Sequence, residues 1–204
     1  MPRPRKFHES DVVSSAGEVF AVHGLAAATL DDLVRATGLG KQSLYNAFGG
    51  KRELFLRALS EDRDEATRAV TEALGHDDAS PLEQIRGHML RMAIDFSSTD
   101  RRVSLTTRAL VESTGAEDPL STVTKAGIEQ LAGVYAQCLD HARENGDLPA
   151  GVNVQSLAVY FVAVTRGMEL LGRAGVGRGV LTAVALDALR VLDGQRTEAA
   201  DDVR

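Results

Sequence analysis

Apolar residues recur at three- and four-residue intervals along most of this chain, with polar and charged residues between them. This spacing places the apolar side chains on one face of an α-helix and differs from the alternation of a half-buried strand. Short segments rich in Gly, Pro or Ser separate the periodic stretches. The pattern predicts an all-α protein of about nine helices, at residues 10–24, 30–37, 41–48, 51–74, 81–96, 101–112, 119–145, 154–172 and 180–192.

Several residues mark the predicted ends of these helices. Ser10 and Thr29 can accept hydrogen bonds from first-turn amides, so we expect them to be the N-caps of the first and second helices. Gly38 is expected to end the second helix in the left-handed conformation, and Pro81 suits the first position of the fifth. From Asp193 onward the sequence is polar, which predicts a frayed tail.

The predicted third helix has an unusual outer face. If Leu44, Ala47 and Phe48 are buried, the remaining positions point outward together: Lys41, Gln42, Ser43, Tyr45 and Asn46. One cation, two amides, a hydroxyl and a phenol on a short exposed helix suit the major groove of DNA. Because they occupy the first turns, Gln42, Ser43 and Asn46 are the candidates for contacts with base edges.

Residues 11–56 resemble the helix-turn-helix of TetR-family transcriptional repressors. The landmarks of that pattern keep their spacing here: Phe20, Gly24, Thr29, Leu33, Ala36, Gly38, Leu39, Ser43, Leu44, Tyr45, Phe48, Lys51, Leu54 and Phe55. The chain departs from the pattern in three places. Gly40 replaces the usual serine that caps the recognition helix, Gly49 replaces a common proline, and Gly17 replaces a common alanine.

The resemblance implies an N-terminal three-helix DNA-binding domain, about 1–54, and a C-terminal helical bundle for effector binding and dimerisation, 55–204. It implies that Tyr45 and Lys51 contact phosphate and adds Thr29 to the DNA-binding residues. Two recognition helices of a homodimer would enter successive major grooves of a near-palindromic double-stranded operator. An unknown small-molecule effector would release the repressor from DNA.

The distribution of charge is compatible with DNA binding, although the chain has a net charge of -6. Residues 1–55 carry seven Lys and Arg against six Asp and Glu, so the acidity belongs to the remainder of the chain. Arg3, Arg5 and Lys6 form a basic arm that could reach a minor groove or the DNA backbone. A plain solubilising tail is an equally good interpretation of that arm.

The predicted eighth and ninth helices are too apolar for the surface of a monomer, which favours a homodimer with a four-helix interface. The alternative is burial inside a larger single-chain bundle. The predicted interface residues are Leu157, Phe161, Val164, Val184, Leu186 and Leu189.

A candidate effector pocket combines adaptable apolar walls with a few polar groups. By resemblance we expect a cavity between helices four, five, seven and eight, although each candidate taken alone could be ordinary core. The candidates are Met89, Met92, Phe96, Tyr135, Cys138, His141 and Arg166.

Other classes of function have little support in the sequence. No motif for a catalytic serine, a phosphate loop or a zinc protease is present, so we expect neither an enzyme nor a cofactor. Cys138 and His141 share a helix but lack a second ligand pair, so no metal is expected. The longest apolar run, 157–164, is too short for a membrane span, and the basic N-terminus lacks the apolar core of a signal peptide. We therefore expect a cytoplasmic protein; the rival hypothesis is a small-molecule-binding bundle without DNA function.

Overall fold

The computed structural model describes residues 8–75, 79–98, 104–115 and 118–201, with side chains as far as Asp193. These residues form nine helices and no strand, which confirms the all-α prediction. The helices are α1 (Glu9–Ala27), α2 (Leu30–Thr37), α3 (Lys41–Phe48), α4 (Lys51–Ala73), α5 (Pro81–Phe96), α6 (Leu105–Glu112), α7 (Pro119–Glu144), α8 (Val154–Arg173) and α9 (Arg178–Asp201). The basic arm and the start predicted for the sixth helix lie outside the described residues.

The predicted cap of α2 is confirmed. The Asp32 amide donates to Thr29 Oγ1 and the Thr29 amide donates to the Asp32 carboxylate, each over 3.1 Å, which completes a capping box. The hydrogen bond with the Thr29 side chain lowers the pKa of Asp32 below its ordinary value. Gly38 ends the helix at φ 70°, in the left-handed region that favours glycine.

Two predicted boundaries were wrong, the start of α1 and the end of α9. α1 begins at Glu9 with His8 as its N-cap, so Ser10 lies inside the first turn. α6 begins at Leu105, where the Ser104 hydroxyl accepts a hydrogen bond from the Thr107 amide. α9 extends from Arg178 to Asp201, whereas a polar tail was expected after residue 192. That tail is rich in Gln, Arg, Glu and Ala, whose helix propensity is high whether or not they are buried.

One compact unit contains the described residues up to Glu65 together with those between 104 and 126. It includes α1 to α3, the first part of α4, α6 and the start of α7. Phe20 and Phe55 meet edge to face at its centre, with ring centroids 4.9 Å apart. Leu33, Leu44 and Phe48 belong to the same buried cluster. α6 is therefore part of the unit that holds the helix-turn-helix.

The second unit contains the described residues of 66–101 and 127–201. α5 packs against both α8 and α9, which also contact each other. Met89, Tyr135, Phe161 and Met168 are fully buried at its centre. This unit is a helical bundle, as the resemblance implied.

In the described part of the chain, α8 alone is long and apolar enough to cross a membrane, by length and composition only. Seven of its residues are buried, and it contributes Leu157, Phe161 and Met168 to the core of the second unit. It also carries a buried carboxylate, Glu169, paired with Arg166 over 2.9 Å. These features are those of the central helix of a protein bundle.

Gly172 is required where α8 approaches the end of α5. A Cβ at this position would lie 2.1 Å from the Phe96 carbonyl oxygen, which is backbone and cannot rotate away. Gly167, five residues earlier on α8, has no atom within 4 Å of the corresponding point. We expect Gly172→Ala to lower the free energy of unfolding by roughly 1–3 kcal/mol, because the two helices must separate. Urea denaturation followed by circular dichroism measures this difference.

Gly167→Ala is the matched control. It should be neutral or stabilising by about 0.5–1 kcal/mol, since alanine is favoured over glycine inside a helix. Equal midpoints for the two variants would show that the contact between Gly172 and Phe96 does not constrain the bundle.

Candidate nucleic-acid interface

The two faces of α3 are sharply different. Leu44 and Phe48 are buried in the core of the first unit, and Ala47 is half-buried. The five predicted outward residues are all exposed: Lys41, Gln42, Ser43, Tyr45 and Asn46. The orientation inferred from the spacing is therefore present, and the DNA contacts assigned to these residues remain predictions.

The start of α3 depends on backbone geometry alone. Gly40 is the N-cap, at φ -67° and ψ 156°, and it offers no side chain to the first-turn amides. Lys41 Nζ lies 2.8 Å from an Asp31 carboxylate oxygen and so links α3 to α2. Both partners are largely exposed, so this ion pair contributes little to stability. The departure at Gly40 thus leaves the helix start intact but without a capping side chain.

Two outward amides of α3 are bonded to each other. Gln42 Nε2 donates to Asn46 Oδ1 over 2.9 Å, one helical turn apart. The Tyr45 ring lies beside Gly50, the residue before α4: a Cβ built on Gly50 would be 3.5 Å from the ring. The outer face of α3 therefore carries an ordered amide pair flanked by a cation and a phenol.

Lys51 and Thr29 both have partners within the protein. Lys51 Nζ donates to the Ala28 carbonyl over 2.8 Å, so the lysine ties the start of α4 to the turn before α2. The Thr29 hydroxyl donates to the Asp32 carboxylate over 2.5 Å. Each side chain thus has a structural role, and the phosphate contacts expected of them remain predictions.

α6 braces a kink at Gly24, near the end of α1, from which the chain turns into the helix-turn-helix. The Arg108 guanidinium donates to the Ala21 and Val22 carbonyls, each over 2.8 Å. The Glu112 carboxylate accepts from the Leu25 and Ala26 amides over 2.8 and 3.1 Å. The sequence pattern did not predict this brace, because its partners are more than 80 positions apart.

Gly24 makes this brace possible. It has φ 75°, and a Cβ there would lie 1.9 Å from a Glu112 carboxylate oxygen. From the sequence, Gly24 was expected only to close the first helix. The left-handed conformation and the close approach of Glu112 both require glycine.

An open cleft of about 580 Å³ lies beside this brace. The Arg52–Asp118 ion pair, 2.5 Å long, lies at the cleft, and the Leu120 amide lowers the pKa of Asp118. None of the predicted effector residues reaches this cleft. It is lined by Leu25, Ala26, Arg52, Glu112, Thr114, Asp118 and Leu120.

The predicted effector residues all belong to the second unit but differ in burial. Met89, Phe96, Tyr135 and Cys138 are buried, and Met92 and Arg166 are half-buried. His141 is exposed, so its side chain is not among the core groups. Burial raises the pKa of Cys138 to about 11, so this cysteine is a protonated structural thiol at neutral pH.

His88, which the sequence pattern did not single out, joins the buried group. Its ring centroid is 5.8 Å from that of Tyr135, which stacks on Phe161 at the same distance. His88 Nδ1 and Tyr135 Oη are buried without a hydrogen-bond partner among the described residues. Thr165 lies close to Tyr135, and its hydroxyl donates to the Phe161 and Val162 carbonyls. Within the described ranges, no cluster of three or more His, Cys, Asp and Glu side chains could hold a metal ion.

The residues predicted for the dimer interface also differ in burial. Leu186 is 46% exposed, and Val164 and Val184 are half-buried. Leu157, Phe161 and Leu189 are buried within the subunit's own core, so their side chains are not available to a partner. Further large apolar residues on α8 and α9 are exposed: Val159, Tyr160, Leu170, Leu171 and Val180.

Comparison with known proteins agrees with this geometry. The family model for bacterial regulatory proteins of the tetR family matches residues 12–58, which span α1 to the first turns of α4. A TetR transcriptional regulator from Rhodococcus sp. RHA1 is 30% identical, with 89% of this chain and 97% of that one covered and a TM-score of 0.57. The chain belongs to the TetR family of helix-turn-helix transcriptional regulators.

Two other relatives carry information about function. The TetR-family regulator CifR, solved with a 26-base-pair operator, is 28% identical over 93% of this chain and 98% of its own, with a TM-score of 0.80. The transcriptional repressor ComR of Escherichia coli K12 is 25% identical over 191 residues, which are 93% of this chain and 90% of ComR.

The missing cap of α3 leads to a stability prediction. Gly40 has backbone angles that serine adopts, and no atom lies within 4 Å of a Cβ built there. Gly40→Ser should raise the free energy of unfolding by roughly 0.5–1 kcal/mol, because it adds a capping hydroxyl and reduces the freedom of the unfolded chain. Gly38→Ser is the control, with equal space but φ 70°, and should destabilise by about 1 kcal/mol. Thermal denaturation of both variants measures the difference, and stabilisation by both would contradict it.

Proposed function

We propose that this chain is a cytoplasmic transcriptional repressor that binds a near-palindromic operator as a homodimer. The observation that carries the proposal is the outer face of α3, where five polar side chains are exposed together on a helix anchored by Leu44 and Phe48. An anchored helix with hydrogen-bonding side chains on its free face is what major-groove recognition requires. CifR was solved with its operator and ComR is a repressor, which supports extending DNA binding and repression to this chain.

The dimer would form through α8 and α9. The large exposed apolar side chains of these helices are more than isolated surface residues, because they recur along both elements. Two-fold symmetry would place each such residue twice in one interface. A dimer is also what a palindromic operator demands, since each recognition helix reads one half-site.

The effector would bind in the second unit, at the buried group around His88 and Tyr135. His88 Nδ1 and Tyr135 Oη have no hydrogen-bond partner among the described residues, which is costly for buried polar atoms, and a ligand that hydrogen-bonds to them recovers that cost. The cationic group next to them, Arg166, is neutralised by the buried Glu169 carboxylate. An uncharged effector with hydrogen-bonding groups therefore suits this centre better than an anion. α4 is continuous through residues of both units, so a shift of this helix would carry the effect to the DNA-binding helices.

The first test combines the oligomeric state with operator binding. Leu186→Glu should convert the dimer to a monomer, because it buries an unpaired carboxylate twice in one interface. Sedimentation at micromolar concentration and footprinting on the DNA upstream of the gene measure the two effects. The wild type should protect a site with two-fold symmetry, and the variant should lose that protection.

Gln137→Glu is the charge-matched control, since Gln137 is exposed on α7. It should leave both the dimer and the footprint unchanged. A monomeric wild type, or a Leu186→Glu variant that remains dimeric, would contradict the assigned interface. A dimer that protects no upstream sequence would favour the rival hypothesis of a small-molecule-binding bundle.

The second test concerns the neutral state of the buried centre. The pKa of His88 is lowered to about 4, chiefly because the ring is buried and also because Arg91 is close, while Asp95 partly offsets these effects. As the pH falls from about 6.5 to 4, unfolded His88 takes up a proton that the folded protein excludes, so the free energy of unfolding decreases, by at most roughly 3 kcal/mol. His88→Phe should flatten this part of the pH profile in urea denaturation. Parallel profiles for the wild type and variant would show that His88 is not held neutral.

A further inference from the structure

We propose that Gln42 and Asn46 act as one unit that reads a single adenine in the major groove of each half-site. This inference rests on the proposed function, since it assumes that α3 enters DNA. It goes beyond that function because it names a base and assigns it to two side chains acting together.

The unit is defined by the hydrogen bond between the two amides. Gln42 and Asn46 are one turn apart on α3, both are exposed, and Gln42 Nε2 donates to Asn46 Oδ1 over 2.9 Å. The bond restricts the rotamers of two flexible side chains before DNA arrives. Less conformational entropy is then lost when the pair meets a base.

The remaining hydrogen-bonding groups match adenine. The two groups that take no part in this bond are the Gln42 carbonyl oxygen, which is an acceptor, and the Asn46 NH₂ group, which is a donor. In the major groove, adenine presents the N6 amino donor beside the N7 acceptor. The N6 amino group can donate to Gln42 Oε1 while Asn46 Nδ2 donates to N7.

Other bases fit this arrangement less well. Guanine presents two acceptors, so its O6 would face the Gln42 carbonyl oxygen. Cytosine offers a donor without a neighbouring acceptor, and thymine offers an acceptor beside a methyl group. Rotating both amides by 180° reverses their mutual bond but still leaves one acceptor and one donor, so the match to adenine does not depend on the amide orientation.

The neighbouring side chains are less suited to reading this base. Lys41 is paired with Asp31, and Tyr45 stands beside Gly50. Ser43 carries a hydroxyl that can donate or accept and therefore discriminates poorly. The amide pair is thus the outward group of α3 with a defined donor and acceptor pattern.

In vitro selection from random duplex DNA tests the inference, and it does not require the operator sequence. The full-length wild type should select half-sites with one strongly preferred A·T pair. Replacing that pair by G·C should weaken wild-type binding roughly 5- to 150-fold, the range expected for a bidentate amide contact. Gln42→Ala and Asn46→Ala should each lose most of this discrimination at the same position, and the double variant should lose no more.

Gln130→Ala, at an exposed position on α7, is the control and should keep the wild-type preference. Circular dichroism should find all variants folded, because alanine is well tolerated on an exposed helix face. A wild type that selects no motif would overturn both the proposed function and this inference. A motif in which the two single variants relax different positions, or in which the shared position prefers guanine, would overturn the inference and leave DNA binding in place.

Discussion

Burial of Leu44 and Phe48 determines how the helix-turn-helix is presented. These two side chains hold α3 against the cluster around Phe20, Leu33 and Phe55, so the helix cannot rotate about its axis without exposing them. Each buried side chain of this size contributes about 1.5–3 kcal/mol relative to an exposed one, which is far more than any surface contact on the other face of α3. The polar face is thereby held toward solvent, and every recognition contact proposed above depends on that orientation.

The second constraint is the brace from α6. Arg108 and Glu112 bind backbone groups on both sides of Gly24, so the turn before α2 is held by charge-assisted hydrogen bonds as well as by its own capping box. Lys51 adds a further bond to the same turn from the start of α4. The geometry of the helix-turn-helix therefore depends on residues that are distant in sequence.

The parts that could be predicted from the sequence were those governed by local rules. Periodicity and caps predicted nine helices, the Thr29 cap, the left-handed Gly38 and the outward face of α3, because each depends on neighbours within a few residues. The Glu112 brace and the pairing of His88 with Tyr135 depend on tertiary approach between helices far apart in the chain. The same limitation explains why Phe161 and Leu189, predicted for the dimer interface, are instead buried in the core of the subunit. An apolar pattern shows that a residue is buried but cannot distinguish the subunit's own core from an interface with a partner.

Recognition of DNA by the outer face of α3 is the proposal on which the others depend. A crystal structure of the full-length chain bound to a selected duplex is its most direct test. We expect α3 in the major groove, with Gln42 and Asn46 at base edges and with Leu44 and Phe48 still in the protein core. A complex in which α3 faces away from the duplex, or in which base contacts come from other elements alone, would contradict it.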